Sequence, residues 1–158
     1  MAFDHVITVR FNEVDRAGIA FFSRVYEYCH DTFEEMLAAA GDGLGSIFTD
    51  GGWGWPRVHS EANYKTPMRL GDRRRVVMDT TVVQKSSVIF NYRVLGEDGD
   101  LRATDTLVHA IVNLKTFKSC PRASPQNPRP VRAHRIPRDR HTRAVVDPDR
   151  SCRLARLG

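Results

Sequence analysis

Asp15 stands in the loop Asn12-Glu13-Val14-Asp15-Arg16-Ala17-Gly18, shortly before a segment whose apolar period marks a helix. A carboxylate in that place can act as a nucleophile or as a base toward water. The first backbone N–H groups of the helix have no intrahelical acceptor and lie at the positive end of its dipole, so they can hold charge developing on a carbonyl oxygen. Those are the two requirements for hydrolysing an activated acyl group. Gly18 admits a positive φ, or a close approach of backbone to ligand, at this point. A plainer reading stands beside this one, because Asp in an Asp-x-x-Gly stretch also shapes turns by spending its side chain on nearby backbone N–H groups. Glu13 reads as a surface residue pointing the other way if the preceding strand runs that far.

The elements that must position these residues follow from periodicity. His5 to Phe11 alternates as a short strand, with Val6, Thr8 and Arg10 on one face and Ile7, Val9 and Phe11 on the other. A helix is predicted from about Ser23 to Ala40, where Val25, Cys29, Thr32 or Phe33, Met36, Leu37 and Ala40 recur at three- and four-residue steps. Gly41 is its expected stop, and Asp42 to Gly54 a long glycine-rich connection. Four more strands are predicted: Arg57 to Tyr64, Arg74 to Val83, Ser87 to Leu95, and Leu101 to Leu114, the last two joined by a hairpin turn at Gly96 to Asp100. One strand, one long helix and four strands (β-α-β-β-β-β) give an α+β layer architecture with an antiparallel sheet.

His59 falls within a strand and either faces a cleft near Asp15 or is a half-buried structural histidine. The histidines and cysteines show no zinc spacing: Cys29 and His30 face different sides of a helix, and Cys120 and Cys152 have no close partners. No metal is expected. Three cysteines at irregular spacing fit free thiols in a reducing compartment. With no secretory leader and no run of about 18 apolar residues, the cytoplasm is the expected address and the membrane is not a partner.

The net charge of +5 is unevenly placed, with 14 Lys+Arg against 16 Asp+Glu up to Pro121, and ten arginines against three aspartates after it. Residues 1–121 therefore form one mildly acidic domain, and 122–158 read as an Arg/Pro-rich tail without an apolar period, disordered or loosely attached. Arginine-proline runs without interleaved aromatics are solvated tails more often than nucleic-acid interfaces.

The segment Val9-Arg10-Phe11-Asn12-Glu13-Val14-Asp15-Arg16-Ala17-Gly18-Ile19-Ala20-Phe21-Phe22 resembles the opening motif of the 4-hydroxybenzoyl-CoA thioesterase family of hotdog proteins. The likeness continues in Pro56-Arg57-Val58-His59-Ser60-Glu61-Ala62, Pro67-Met68-Arg69-Leu70-Gly71-Asp72 and Asn113-Leu114-Lys115-Thr116-Phe117-Lys118. The Pro-Arg-Val-His block also resembles the branch that cleaves 1,4-dihydroxy-2-naphthoyl-CoA. The resemblance implies a hotdog fold, a long helix wrapped by an antiparallel sheet, assembled as a homodimer or homotetramer whose sites use two chains. It implies an acyl-CoA thioesterase acting on an aryl- or medium-chain acyl group, with coenzyme A as part of the substrate and no separate cofactor.

By the same resemblance Asp15 is the catalytic carboxylate, Gly18 and the backbone amide of Phe22 shape the oxyanion site, and Val25 lies near the acyl pocket. Relatives place coenzyme A phosphate contacts where Lys85, Ser86 and Ser87 stand, although an exposed lysine is most often only solvated. Many relatives carry His at position 22 and Asn-Tyr at positions 24 and 25, where this chain has Phe22, Arg24 and Val25. Two other classes remain open: a non-catalytic acyl-CoA-binding hotdog module, and a hotdog dehydratase using Cys29-His30-Asp31, whose adjacent side chains do not converge.

Overall fold

The computed structural model describes residues 3–39 and 52–121. In chain order they form β1 (Phe3–Thr8), a 3-10 turn (Phe11–Glu13), α1 (Arg24–Ala39), β2 (Trp53–Gly54), β3 (Arg57–Tyr64), β4 (Arg73–Val83), β5 (Ser87–Leu95), β6 (Leu101–Ala110) and β7 (Val112–Asn113). Five strands make one antiparallel sheet in the order β1-β4-β5-β6-β3, and β2 pairs with β7 apart from it. The helix lies across one face of the large sheet, touching β1, β3, β4 and β6. This is the expected α+β hotdog layout.

Helix and sheet meet because each presents one apolar face. Along α1 the buried residues are Val25, Tyr28, Cys29, Thr32, Phe33 and Leu37, a single stripe at three- and four-residue steps. Thr32 is accommodated there by donating its hydroxyl to the Tyr28 carbonyl at 2.8 Å. Opposite, Val88, Phe90, Tyr92 and Val94 of β5 all point inward, as period-two alternation requires. Phe33 sits at the centre, edge-on to Phe90 and stacked on His109 at centroid distances of 5.2 and 5.6 Å. Burying a side chain of this kind contributes on the order of 1.5–3 kcal/mol. His109 belongs to this core: burial lowers its pKa, and its Nδ1 lies 3.0 Å from the Trp55 carbonyl.

Two strands end earlier than expected, each for a long-range reason. The first strand ends at Thr8 instead of Phe11, because Val9 is captured by the turn before β4: its N–H donates to Asp72 and its carbonyl accepts from Gly71, at 3.0 and 2.9 Å. Phe11 is thereby turned out to solvent. The last strand breaks at Ile111, whose N–H donates to the Ser86 carbonyl at 2.8 Å, and the following Val112–Asn113 joins Trp53–Gly54. That short partner strand was hidden in the glycine-rich connection. Most of the connection, residues 40–51, and the tail 122–158 lie outside the described residues.

Candidate active site

The site is built on a hairpin between β1 and α1. Gly18 N–H donates to the Asp15 carbonyl and Asp15 N–H to the Ile19 carbonyl, both at 2.9 Å, with Gly18 at φ 72°. A side chain at that φ is disfavoured, which is why a glycine occupies it. The arms continue as Val14 opposite Ala20 and as Phe21 N–H donating to the Glu13 carbonyl at 2.8 Å. Asp15 Oδ1 accepts the Ala17 N–H at 2.8 Å, so the turn-shaping role is present. The residue is nonetheless exposed, and its other carboxylate oxygen has no partner among the described residues. One oxygen orients the group; the second is unengaged.

On the other arm the chain enters α1 through Phe21, Phe22 and Ser23. Arg24 N–H donates to the Phe21 carbonyl at 2.9 Å and Tyr26 N–H to that of Ser23 at 3.1 Å. Phe22 N–H meets no backbone acceptor among the described residues. It lies two residues ahead of Arg24, where α1 begins, and is left without a backbone partner at the approach to the helix. The Phe22 ring is 58% exposed and packs on Phe21 with centroids 4.7 Å apart, giving the hairpin an aromatic surface.

Several contacts hold the hairpin in place. Glu13 is half-buried, contrary to its reading as a surface residue, because its Oε2 accepts the Tyr28 hydroxyl at 2.9 Å and the Arg10 N–H at 2.7 Å. Burial, then the Glu13 carboxylate, keeps the Tyr28 phenol well above its ordinary pKa. Ala20 N–H donates to the Met68 carbonyl at 2.7 Å, and Ile19 bridges to Arg69. Asp72 caps that corner by accepting Arg69 N–H at 2.6 Å and pairing with Arg74. Tyr64, at the end of β3, donates its hydroxyl to the Phe22 carbonyl at 2.7 Å. Sequence reasoning missed Glu13, Tyr28 and Tyr64 as supports of the site; only Tyr28 carried a signal, three residues after Val25 on the buried stripe.

The remaining candidates scatter. Val25 is fully buried in the core between helix and sheet. His59 lies exposed on the edge strand β3, 3.8 Å from Glu61. Lys85, Ser86 and Ser87 form the turn between β4 and β5, closed by Gln84 N–H to the Ser87 carbonyl at 2.8 Å and by Ser87 Oγ to Gln84 Oε1 at 2.8 Å. Lys85 is exposed there, but the length of β4 separates this turn from the Met68–Asp72 corner, on the order of 30 Å at 3.3 Å per residue. Within one chain these residues do not meet Asp15. The side chains of Cys29, His30 and Asp31 diverge: Cys29 is buried, His30 lies between Glu34 and Arg57, and Asp31 is exposed. No group of three or more His, Cys, Asp or Glu fit to hold a metal occurs among the described residues.

A second carboxylate lies under the helix. Asp105 on β6 is 2% exposed, opposite Tyr92 of β5 and Ala62 of β3, and neither of its oxygens has a hydrogen-bond partner among the described residues. Burial pushes its pKa up to about 6, against the opposing pulls of Cys29 and Arg57. No sequence signal marked it beyond its place in an inward-facing register.

The family model of the thioesterase-like superfamily matches residues 9–139. The 1,4-dihydroxy-2-naphthoyl-CoA hydrolase of Prochlorococcus marinus is 32% identical over 120 residues, covering 72% of this chain and 77% of that protein. The protein of that name from Synechococcus elongatus is 31% identical over 114 residues, covering 72% and 83%. Among solved structures, a 1,4-dihydroxy-2-naphthoyl-CoA thioesterase from Synechocystis superposes with a TM-score of 0.72 at 24% identity, covering 77% of this chain and 89% of that one. That likeness speaks for the fold. With a family model spanning most of its length and relatives above 30% identity, this chain belongs to the thioesterase-like superfamily.

Proposed function

We propose that this chain, an enzyme of the thioesterase class, hydrolyses an aryl-coenzyme A thioester of the 1,4-dihydroxy-2-naphthoyl type at the Asp15 hairpin. The observation that carries the reading is the pairing, on two arms of one hairpin, of an unengaged Asp15 carboxylate oxygen with the unpartnered N–H of Phe22. Asp15 supplies the attack on the thioester carbonyl, directly or through water, while the Phe22 amide receives the charge forming on oxygen. Gly18 leaves the turn open on the substrate side, with nothing within 4 Å of where a Cβ would stand. The exposed rings of Phe21, Phe22 and Tyr64 favour a flat aromatic acyl group over a medium-length alkyl chain. Coenzyme A enters as part of the substrate, and the reaction calls for no other cofactor.

The working unit in this reading is a dimer. β3 is an edge strand of eight residues, exposed along nearly its whole length, and an uncovered edge of that length is a template for pairing. Antiparallel pairing of β3 with its copy sets the Tyr64 end of one chain beside the Arg57 end of the other. The Arg57 end is also the end of the sheet that carries Lys85, since Arg57 pairs with His109 and Ser87 with Ala110. The partner subunit's Lys85 is thus carried toward this chain's hairpin, which resolves the separation within one chain. Its role would be to meet a coenzyme A phosphate. Cys29 and Cys120 are free thiols, as a reducing cytoplasmic address would keep them, and no helix among the described residues is long and apolar enough to cross a membrane.

Asp15→Asn tests the reading cleanly, because the amide oxygen can still accept the Ala17 N–H and keep the turn. The expected result is a kcat at least about a hundredfold lower with an unchanged melting temperature, measured as thiol release from 1,4-dihydroxy-2-naphthoyl-CoA. Undiminished turnover by the folded variant would remove Asp15 from the chemistry. Binding of the thioester by the wild type without any turnover would favour a non-catalytic module instead.

A further inference from the structure

Just ahead of α1 the Phe22 carbonyl is an acceptor that the helix itself does not use. In a regular α-helix the Phe22 carbonyl would take the N–H of Tyr26, four residues on. Here Tyr26 N–H donates to Ser23, three residues back, at 3.1 Å, and the Phe22 carbonyl accepts the Tyr64 hydroxyl at 2.7 Å instead. Tyr64 is a firm point from which to hold it. Its backbone pairs with the fully buried Ala103 of β6, and the next residue, Lys65, donates its N–H to the Arg102 carbonyl at 2.8 Å.

We propose that Tyr64 is a positioning residue of the thioester reaction, its hydroxyl bond to the Phe22 carbonyl holding residue 22 so that its own N–H faces the developing oxyanion. The inference rests on the reading of Phe22 N–H as oxyanion donor. Without the tether the Phe22 carbonyl is free to take back Tyr26 N–H, which extends the α-helix by one residue and rotates the Phe22–Ser23 peptide. That rotation leaves residue 22 held from one side only: its N–H shares a peptide plane with the Phe21 carbonyl, which accepts from Arg24, while the bond that fixed its carboxyl side is gone. Burial, then the neighbouring Tyr26, pushes the Tyr64 phenol up to about 12, so the hydroxyl keeps its proton and donates throughout the neutral range. Because the ring is 47% exposed, its hydroxyl matters little to the core. A loss of activity on removing it is therefore separable from a loss of fold.

The test is Tyr64→Phe in the full-length protein, which removes one oxygen and keeps the ring. The expected result is a kcat about tenfold lower, with KM within about twofold and a melting temperature close to wild type, because a small displacement of a group acting only on the transition state costs rate rather than binding. A second readout does not depend on turnover. In an unreactive coenzyme A ketone that replaces the thioester sulfur by CH₂, the carbonyl stretching frequency should be lowered on binding to the wild type and lowered less on binding to Tyr64→Phe. No lowering in the wild type would overturn the oxyanion reading and this inference with it. Full lowering in Tyr64→Phe, together with unchanged kcat, would overturn the tether alone and leave Asp15 and Phe22 in their roles.

Discussion

Two turns in this molecule share one backbone design, and only one of them sits at the candidate site. In the Asp15 turn, Gly18 N–H donates to Asp15 and Asp15 N–H to Ile19; in the turn joining β5 to β6, Gly99 N–H donates to Gly96 and Gly96 N–H to Asp100. Each has a glycine at positive φ, 72° for Gly18 and 85° for Gly99. Each uses an aspartate as a local brace: Asp15 Oδ1 takes Ala17 N–H, and Asp98 Oδ1 takes Asp100 N–H. They differ in what surrounds them. Asp98 closes its second oxygen on Arg102 and simply returns the chain to the sheet. Asp15 keeps its second oxygen unengaged, and its turn leads into a helix start with an unused N–H, steadied by Tyr28 through Glu13 and by Tyr64 through Phe22. An Asp-Gly turn is common; the neighbouring donors and tethers are what make this one the candidate site.

The comparison breaks most sharply on the two aspartates. Set against the loss of at least about a hundredfold in kcat expected for Asp15→Asn, Asp98→Asn should leave turnover within about twofold. Equal losses would mean that the carboxylate of Asp15 serves the fold and not the reaction. The glycines sharpen it next. Gly18→Ala and Gly99→Ala both force a side chain into the left-handed region with open space around it, so each should destabilise the protein by about 1–2 kcal/mol. Only Gly18→Ala should also lower kcat, by about tenfold, and parallel denaturation and kinetic curves for the pair would decide it.

A smaller effect is expected at Lys85. Its replacement by Ala should raise KM about three- to tenfold at low salt with kcat nearly unchanged, since a remote phosphate contact is made equally in ground and transition states. The difference should shrink as salt screens the contact, and a KM insensitive to both changes would return Lys85 to solvent.

Asp105 marks the opposite extreme from Asp15, a carboxyl governed by burial. Its pKa in the folded protein is raised from 3.8 to about 6, so the stability gained in the protonated form is complete below pH 3.8 and lost as pH rises through about 6. Asp105→Asn, neutral at every pH, should therefore raise the melting temperature at pH 8 by about 3 °C and flatten its decline between pH 4 and pH 7. Thioesterase activity should hardly change. An unaltered pH slope would show that Asp105 is not the group responsible.

Much of this protein is written locally. The helix from Arg24 to Ala39, the inward face of Val88, Phe90, Tyr92 and Val94, and the turns at Gly18 and Gly99 follow from apolar period and glycine placement, because a helix or strand must bury one face whatever its neighbours are. Asp15 was legible for the same reason, as a carboxylate in a turn just ahead of a helix. Only the tertiary structure decided what lies beyond that range. The order β1-β4-β5-β6-β3 sends Lys85 to the far end of the sheet from Asp15, and the packing of α1 on the sheet buries Val25, which the family pattern had put near the acyl group. Glu13 became a tether only when Tyr28, 15 residues on, came within 2.9 Å, and Tyr64 found the Phe22 carbonyl across 42 residues. A hydrogen bond of that reach leaves no period in the chain, since it depends on where two distant backbones are carried by the whole fold and not on the residues between them.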